Sequence, residues 1–201
     1  DVYKRQMNLR EIINRIKEKK ISRQFDVEIP EFNVEDCLKE EGVKIRVKNS
    51  KEKYLDVIFK VSERISYDPD GYTSPLESFA ASFSYTAKNG CIFEKKATTF
   101  KEDKEDYGFD SNLQANKIKR LLSEMARYDR ITMKKPAAPS ERNEIIEGKG
   151  GIFNDIVKKC SAGLSRRLDS LQRQAESERT RHNRQAEQIK RKMINDAFRE
   201  R

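Results

Sequence analysis

Apolar positions recur at two different periods along this chain. In the first hundred residues they alternate. Phe25, Val27 and Ile29 are interleaved with Asp26 and Glu28 until Pro30 stops the run, which predicts a short edge strand. Val43, Ile45 and Val47 alternate with Lys44, Arg46 and Lys48, and a turn at Asn49-Ser50 leads into a longer run. In that run Leu55, Val57, Phe59, Val61 and Ile65 share one face, and Asp56, Lys60, Ser62 and Arg64 the other. Asp68-Pro69-Asp70-Gly71 is a strong turn signal. Phe79, Ala81, Phe83, Tyr85 and Ala87 alternate next, and Asn89-Gly90 predicts a type I′ hairpin returning through Cys91 to Thr99. The four longer strands predict an antiparallel meander with one buried face, joined by a short fifth strand around Ile131 and Met133.

Elsewhere the period is helical. Asn8, with Glu11 as capping partner, opens a helix carrying Leu9, Ile12, Ile13 and Ile16 on one face and basic residues at its end. The basic run from Arg15 to Arg23 completes that helix end or meets phosphate. Asn33 opens a short helix that Gly42 closes in a left-handed cap. Ser111 is expected to cap a helix whose Ile118, Leu121, Leu122 and Met125 lie across the meander. The fold class is therefore α+β: a four- to five-stranded antiparallel meander with packing helices, a hinge, and a long basic C-terminal helix.

That last helix organises the reading. Its thin stripe runs Val157, Cys160, Leu164, Leu168, Leu171, Ala175, Glu178, His182, Ala186, Ile189 and Met193, ten steps over 36 residues, the period of a straight α-helix. Residues 153–201 would extend roughly 70 Å, so much of the helix is expected to project. On the opposite face Arg166, Arg173, Arg184 and Arg191 form a row, with Arg167, Arg181, Lys192 and Arg199 beside it and Asp169, Glu176 and Glu187 on the other flank. A charged face is ordinarily the solvated side of a coiled coil. Arginine forks also match phosphate oxygens, so the row equally suits a nucleic-acid backbone.

Four segments follow: 1–6, which reads as a non-native remnant before Met7; 7–133, the α+β domain; 134–151, a linker and hinge; and 152–201, the coiled-coil-like arm. Pro136 to Pro139 mark the linker, Ser140 starts a short helical turn, and Gly148, Gly150 and Gly151 break the chain. Asn154 or Asp155 is expected to cap the arm. Cleavage between Lys134 and Lys149 should then release a stable N-terminal fragment.

Composition sharpens this picture. The 201 residues are 35% hydrophobic and 38% charged, which suits one domain plus an arm. The net charge of +9 is uneven. Residues 1–110 hold 21 Lys+Arg against 22 Asp+Glu, and residues 111–201 hold 22 against 12, so the basicity belongs to the second half. No apolar run approaches a membrane span, and no secretory core is visible near the start. The three cysteines, Cys37, Cys91 and Cys160, form no CxxC pair, which fits reduced thiols in a cytoplasmic or intravirion setting.

Candidate chemistry is sparse. Asp68-Pro69-Asp70-Gly71 lacks the further ligands of a calcium loop, and residues 102–106 read as a solvated acidic loop or a weak metal contact. The glycine triplet matches no phosphate-loop motif. His182 is the one histidine, and it interrupts the helical stripe. Triad or metal chemistry would have to recruit it, so no catalytic, cofactor or metal site is expected. The leading expectation is a non-enzymatic protein that binds nucleic-acid backbone, with low sequence preference, through Arg166, Arg173, Arg181, Arg184, Arg191 and Lys192. The rival is a structural or adaptor protein that homo-oligomerises or docks on a partner helix through Leu164, Leu168, Leu171, His182, Ile189 and Met193. At the level of architecture alone a meander followed by a helix resembles export-chaperone folds, which adds a peptide-binding chaperone as a third reading.

Overall fold

The computed structural model describes residues 25–73, 75–88, 90–97, 100–103, 110–127, 130–134, 144–147 and 152–199. The expected remnant 1–6, the helix opening at Asn8, Ser140, Gly148, Gly150 and Gly151 lie outside these residues, as does most of the linker. The strands are β1 (Phe25–Glu28), β2 (Val43–Asn49), β3 (Tyr54–Ser66), β4 (Leu76–Thr86), β5 (Ile92–Lys96), β6 (Phe100–Asp103), β7 (Arg130–Lys134) and β8 (Glu144–Glu147). The helices are α1 (Val34–Leu38), α2 (Ser111–Met125) and α3 (Ile152–Arg199).

The fold is α+β, as the alternation predicts, but its antiparallel sheet is larger than four or five strands. The order is β1-β2-β3-β4-β5-β7-β8, and β6 shares an edge of β4 with β5. The return after Cys91 splits into β5 and β6, and residues 144–147 pair with β7 as a strand just beyond the helical turn expected at Ser140. Register stacks the apolar positions on one face: Val43 pairs Phe59, Phe59 pairs Phe83, and Phe83 pairs Lys95. Val57, Phe59, Val61, Phe79, Ala81 and Phe83 are all at most 2% exposed. A one-residue slip would turn that whole set to solvent, so the burial itself holds the register.

Local signals hold the corners. Gly42 has φ +66, and a Cβ there would collide with the Phe59 carbonyl oxygen. Asp68 accepts from the backbone N–H groups of Asp70 and Thr73 and from the Thr73 hydroxyl, so its carboxylate is spent on its own turn. The cap of α2 is Asp110 rather than Ser111; its carboxylate accepts from Asn112 and Leu113. Between β4 and β5 the Ala87 N–H donates to the Cys91 carbonyl and Gly90 stands at φ +83; Asn89, on which the expected type I′ turn depends, lies outside the described residues.

Among the described residues all three helices pack on the apolar face, and α1 buries Val34 and Cys37 beside β3. In α2, Ala115, Ile118, Leu121, Leu122 and Met125 are buried. The opening turns of α3 bury Phe153, Asn154, Ile156, Val157, Cys160 and Leu164. Phe153 meets Tyr85 edge-on at 5.0 Å, and Tyr85 stacks on Phe93 at 4.9 Å. Lys159 donates to the Phe25 carbonyl at 2.6 Å, and Ile29 occupies the space a side chain at Gly163 would need. The chain's compact units accordingly part inside α3, as Asp1–Ser165 and Arg166–Arg201, and not at the 134–151 linker. The first turns of the helix belong to the core, because their stripe is wide enough to complete it.

Two outcomes follow. Ending the chain at residue 151 should unfold the sheet domain, since several buried side chains worth about 1.5–3 kcal/mol each would be lost against a total stability of about 5–15 kcal/mol. Ending it at residue 172 should leave a cooperative thermal transition by circular dichroism; a folded 1–151 fragment would refute the placement of α3. Gly42→Ala should destabilise by about 1–3 kcal/mol in urea unfolding, from strain at positive φ and collision with Phe59.

Candidate nucleic-acid interface

The second compact unit, residues 166–199 of α3 as described, is a helix with three distinct strips. Wound at about 100° per residue, an arc of about 120° centred on Gln188 holds Arg166, Arg167, Arg173, Arg181, Arg184, Arg191, Lys192 and Arg199. Between them lie Ser170, Gln174, Ser177, Gln185, Gln188 and Asn195. The arc contains no carboxylate and no apolar side chain. Asp169, Glu176 and Glu187 line one flank, and Glu178 and Asp196 the other. The thin apolar stripe runs opposite.

Every residue from 173 to 199 is exposed, and so is Arg166, whereas Arg167 is half-buried. Among the described residues no carboxylate lies within ion-pair distance of Arg166, Arg173, Arg181, Arg184, Arg191, Lys192 or Arg199. Ser177, Thr180, Arg181, Arg184, Gln185 and Gln188 line a shallow depression on this face. These groups are hydrogen-bond donors on a surface with no competing acid, which is what an anionic chain requires. Six of the seven exposed cations are arginine, which presents a fork rather than a point charge.

The stripe proposed for association divides in two. Leu164 and Leu168 are fully buried and Leu171 is half-buried, so they are not a free surface. An apolar stripe specifies a buried face but not what buries it. His182 is exposed, and Ile189 and Met193 are 60% and 67% exposed. Ile194 and Phe198, which the stripe omits, are also exposed. Residues 172–188 carry no apolar side chain larger than alanine, so that stretch has little from which to build a helix seam.

The expected cap residue Asn154 has a different role. It sits inside the first turns of α3, 1% exposed, and accepts from the Lys95 ammonium at 2.8 Å. Lys95 is itself fully buried on the sheet, a placement that only the pairing register reveals. Glu77 and Lys117 form a second shielded pair at 3.3 Å, with Lys117 over the Phe79 ring.

Among the described residues no group of three or more His, Cys, Asp or Glu could hold a metal, and no helix is long and apolar enough to cross a membrane. No protein-family model, curated protein or solved structure matches the chain. The three cysteines are buried, and none is in a disulfide. Burial pushes the Cys37 and Cys160 thiols up to about 12, which leaves them protonated and unreactive at neutral pH. In the unfolded chain they ionise near the ordinary thiol value of 9.0. Their contribution to stability is thus complete below pH 9 and declines as pH rises from there toward 12. Iodoacetamide at pH 8 should label neither thiol in the native protein and both after urea unfolding; rapid native labelling of Cys160 would contradict its burial.

Proposed function

We propose that this protein binds the phosphate backbone of nucleic acid, with little sequence preference, through the acid-free face of α3. The observation that carries this reading is the arc itself: seven exposed cations and a run of neutral polar groups, flanked but not interrupted by carboxylates. Arg166, Arg173, Arg184 and Arg191 are 7, 11 and 7 residues apart, or roughly 10 and 16 Å along the axis. Such spacing meets phosphates at intervals and ignores the bases between them. No catalytic step is assigned to the site.

A second reading rests on a separate feature. Ile189, Met193, Ile194 and Phe198 leave an apolar end on an otherwise polar helix, and a second copy of the same end would cover it. The chaperone reading has less support, because the sheet face away from the described helices scatters Tyr54, Ile58 and Ile92 among charges, serines and alanine and so offers no wide apolar surface.

Binding to a duplex should weaken steeply with salt, as neutralised phosphates release counterions. Replacing Arg166, Arg173, Arg184 and Arg191 by Gln should lower the slope of log affinity against log salt by about 3–4, equally for all sequences. An unchanged slope and affinity in that variant would sink the backbone reading. If Phe198→Glu and Met193→Glu then convert an oligomer to monomer by light scattering, self-association takes its place.

A further inference from the structure

The strand pairing brings together a second basic surface in the sheet domain. Among the described residues no element covers the face of the sheet opposite the helices. Toward β1 and β2 its charges cancel: Lys44 and Arg46 lie 3.2 and 3.9 Å from Asp56, and Glu28 is paired across from Arg46. Toward β3, β4 and β5 they do not. Lys60 pairs with Ser82, and Ser82 with Lys96, so the two lysines stand on either side of a serine, about 10 Å apart across two strand spacings. Arg64 is four residues further along β3, about 13 Å from Lys60. These cations border a trough of about 560 Å³ floored by Ser62, Ser78, Ala80 and Ser82.

Among the described residues the trough has one carboxylate, Glu94, which is bonded to Lys96 at 3.0 Å. Among the described residues Lys60 and Arg64 have no ion-pair partner. The floor is small enough for a ligand to approach the sheet closely. Its Ser62 and Ser78 hydroxyls make only long 3.5 Å contacts with backbone carbonyls, so they can turn to a better acceptor. Where β3 ends, beyond Arg64, Tyr67 and Tyr72 are 68% and 90% exposed. A groove of cations and hydroxyls with exposed aromatic rings at its end has the parts of a single-strand site, in which cations track phosphates and rings stack on bases.

We infer that the β3–β4–β5 trough binds single-stranded nucleic acid, with Lys60, Arg64 and Lys96 on its phosphates and Tyr67 and Tyr72 on its bases. The inference takes its ligand class from the reading of α3, but it concerns a different surface. An acidic peptide would satisfy the cations and make no use of the tyrosines.

The test titrates the full chain with a fluorescein-labelled oligothymidylate and with a duplex of equal length. It compares Lys60→Gln/Arg64→Gln/Lys96→Gln with the α3 quadruple Arg→Gln variant. A second trough variant, Ser62→Glu, removes no cation and places a carboxylate on the floor; thermal melts confirm that each variant folds. The trough variants should lose about tenfold or more in single-strand affinity, and the triple variant should lower the salt slope by about 2 on the single strand. Duplex affinity should change little. Tyr67→Ala and Tyr72→Ala should each lower single-strand affinity about fivefold or more. Unchanged single-strand binding in both trough variants overturns the inference and leaves the α3 reading standing. Loss in the trough variants without loss in the α3 variant supports the inference and overturns the α3 reading. Equal losses on strand and duplex overturn the single-strand assignment. Displacement of the strand by poly-glutamate, with no effect of the tyrosine variants, reassigns the trough to an acidic protein.

Discussion

The sheet has one apolar face, and the structure depends on closing it. Strand alternation collects Val57, Phe59, Val61, Phe79 and Phe83 on that side, and a sheet face of that kind needs a second layer. Helix α2 supplies part of the layer. Helix α1 adds Val34 and Cys37, and the opening turns of α3 add Phe153, Ile156, Val157, Cys160 and Leu164. This constraint explains why the compact unit runs to Ser165 across the linker. It also explains why a helix with so polar a sequence overall begins with a buried stripe. The two parts of α3 obey different physics: one is held by burial, the other by its own backbone hydrogen bonds and charge pattern.

Polar groups inside the core add orientation to that burial. A buried ammonium without a partner would be costly, and Lys95 is placed where Asn154 accepts from it at 2.8 Å. The bond joins β5 to the first turns of α3. Lys159 does the same at β1, donating to the Phe25 carbonyl. Together with the Tyr85–Phe153 contact these are directional links between helix and sheet, whereas apolar packing alone tolerates sliding. Helix position and strand register therefore support each other.

Charge is arranged by the same periodicities. On α3 a 3.6-residue period segregates arginines from carboxylates into separate strips. On the sheet a two-residue period sends Lys60, Arg64 and Lys96 to the face away from the helices. The first 110 residues are almost neutral in sum, yet pairing concentrates cations at the trough and cancels them at the β1–β2 end. Net charge describes a long-range field; which anion a surface can hold depends on how the charges are grouped.

Much of this was legible in the chain. Alternation predicts β1 to β4, the hairpin signal predicts the return through β5, Ile131 and Met133 mark β7, the helical period predicts α2 and α3, and Gly42 stands in the left-handed conformation that its place after α1 predicts. The arginine strip of α3 was legible too, because a helix converts sequence spacing directly into angle. Tertiary structure decided the rest. An apolar stripe says that a face is buried, so Leu164 and Leu168 read the same whether a partner helix or the chain's own core covers them. β8 has no alternating run long enough to announce itself, and its pairing with β7 supplies what its pattern lacks. Lys95, Lys60, Arg64 and Lys96 acquire their roles only through register, which sets Lys60 and Lys96 on either side of Ser82 in β4. Local sequence determines period and therefore faces. Which faces meet is set by the non-local burial that closes the sheet.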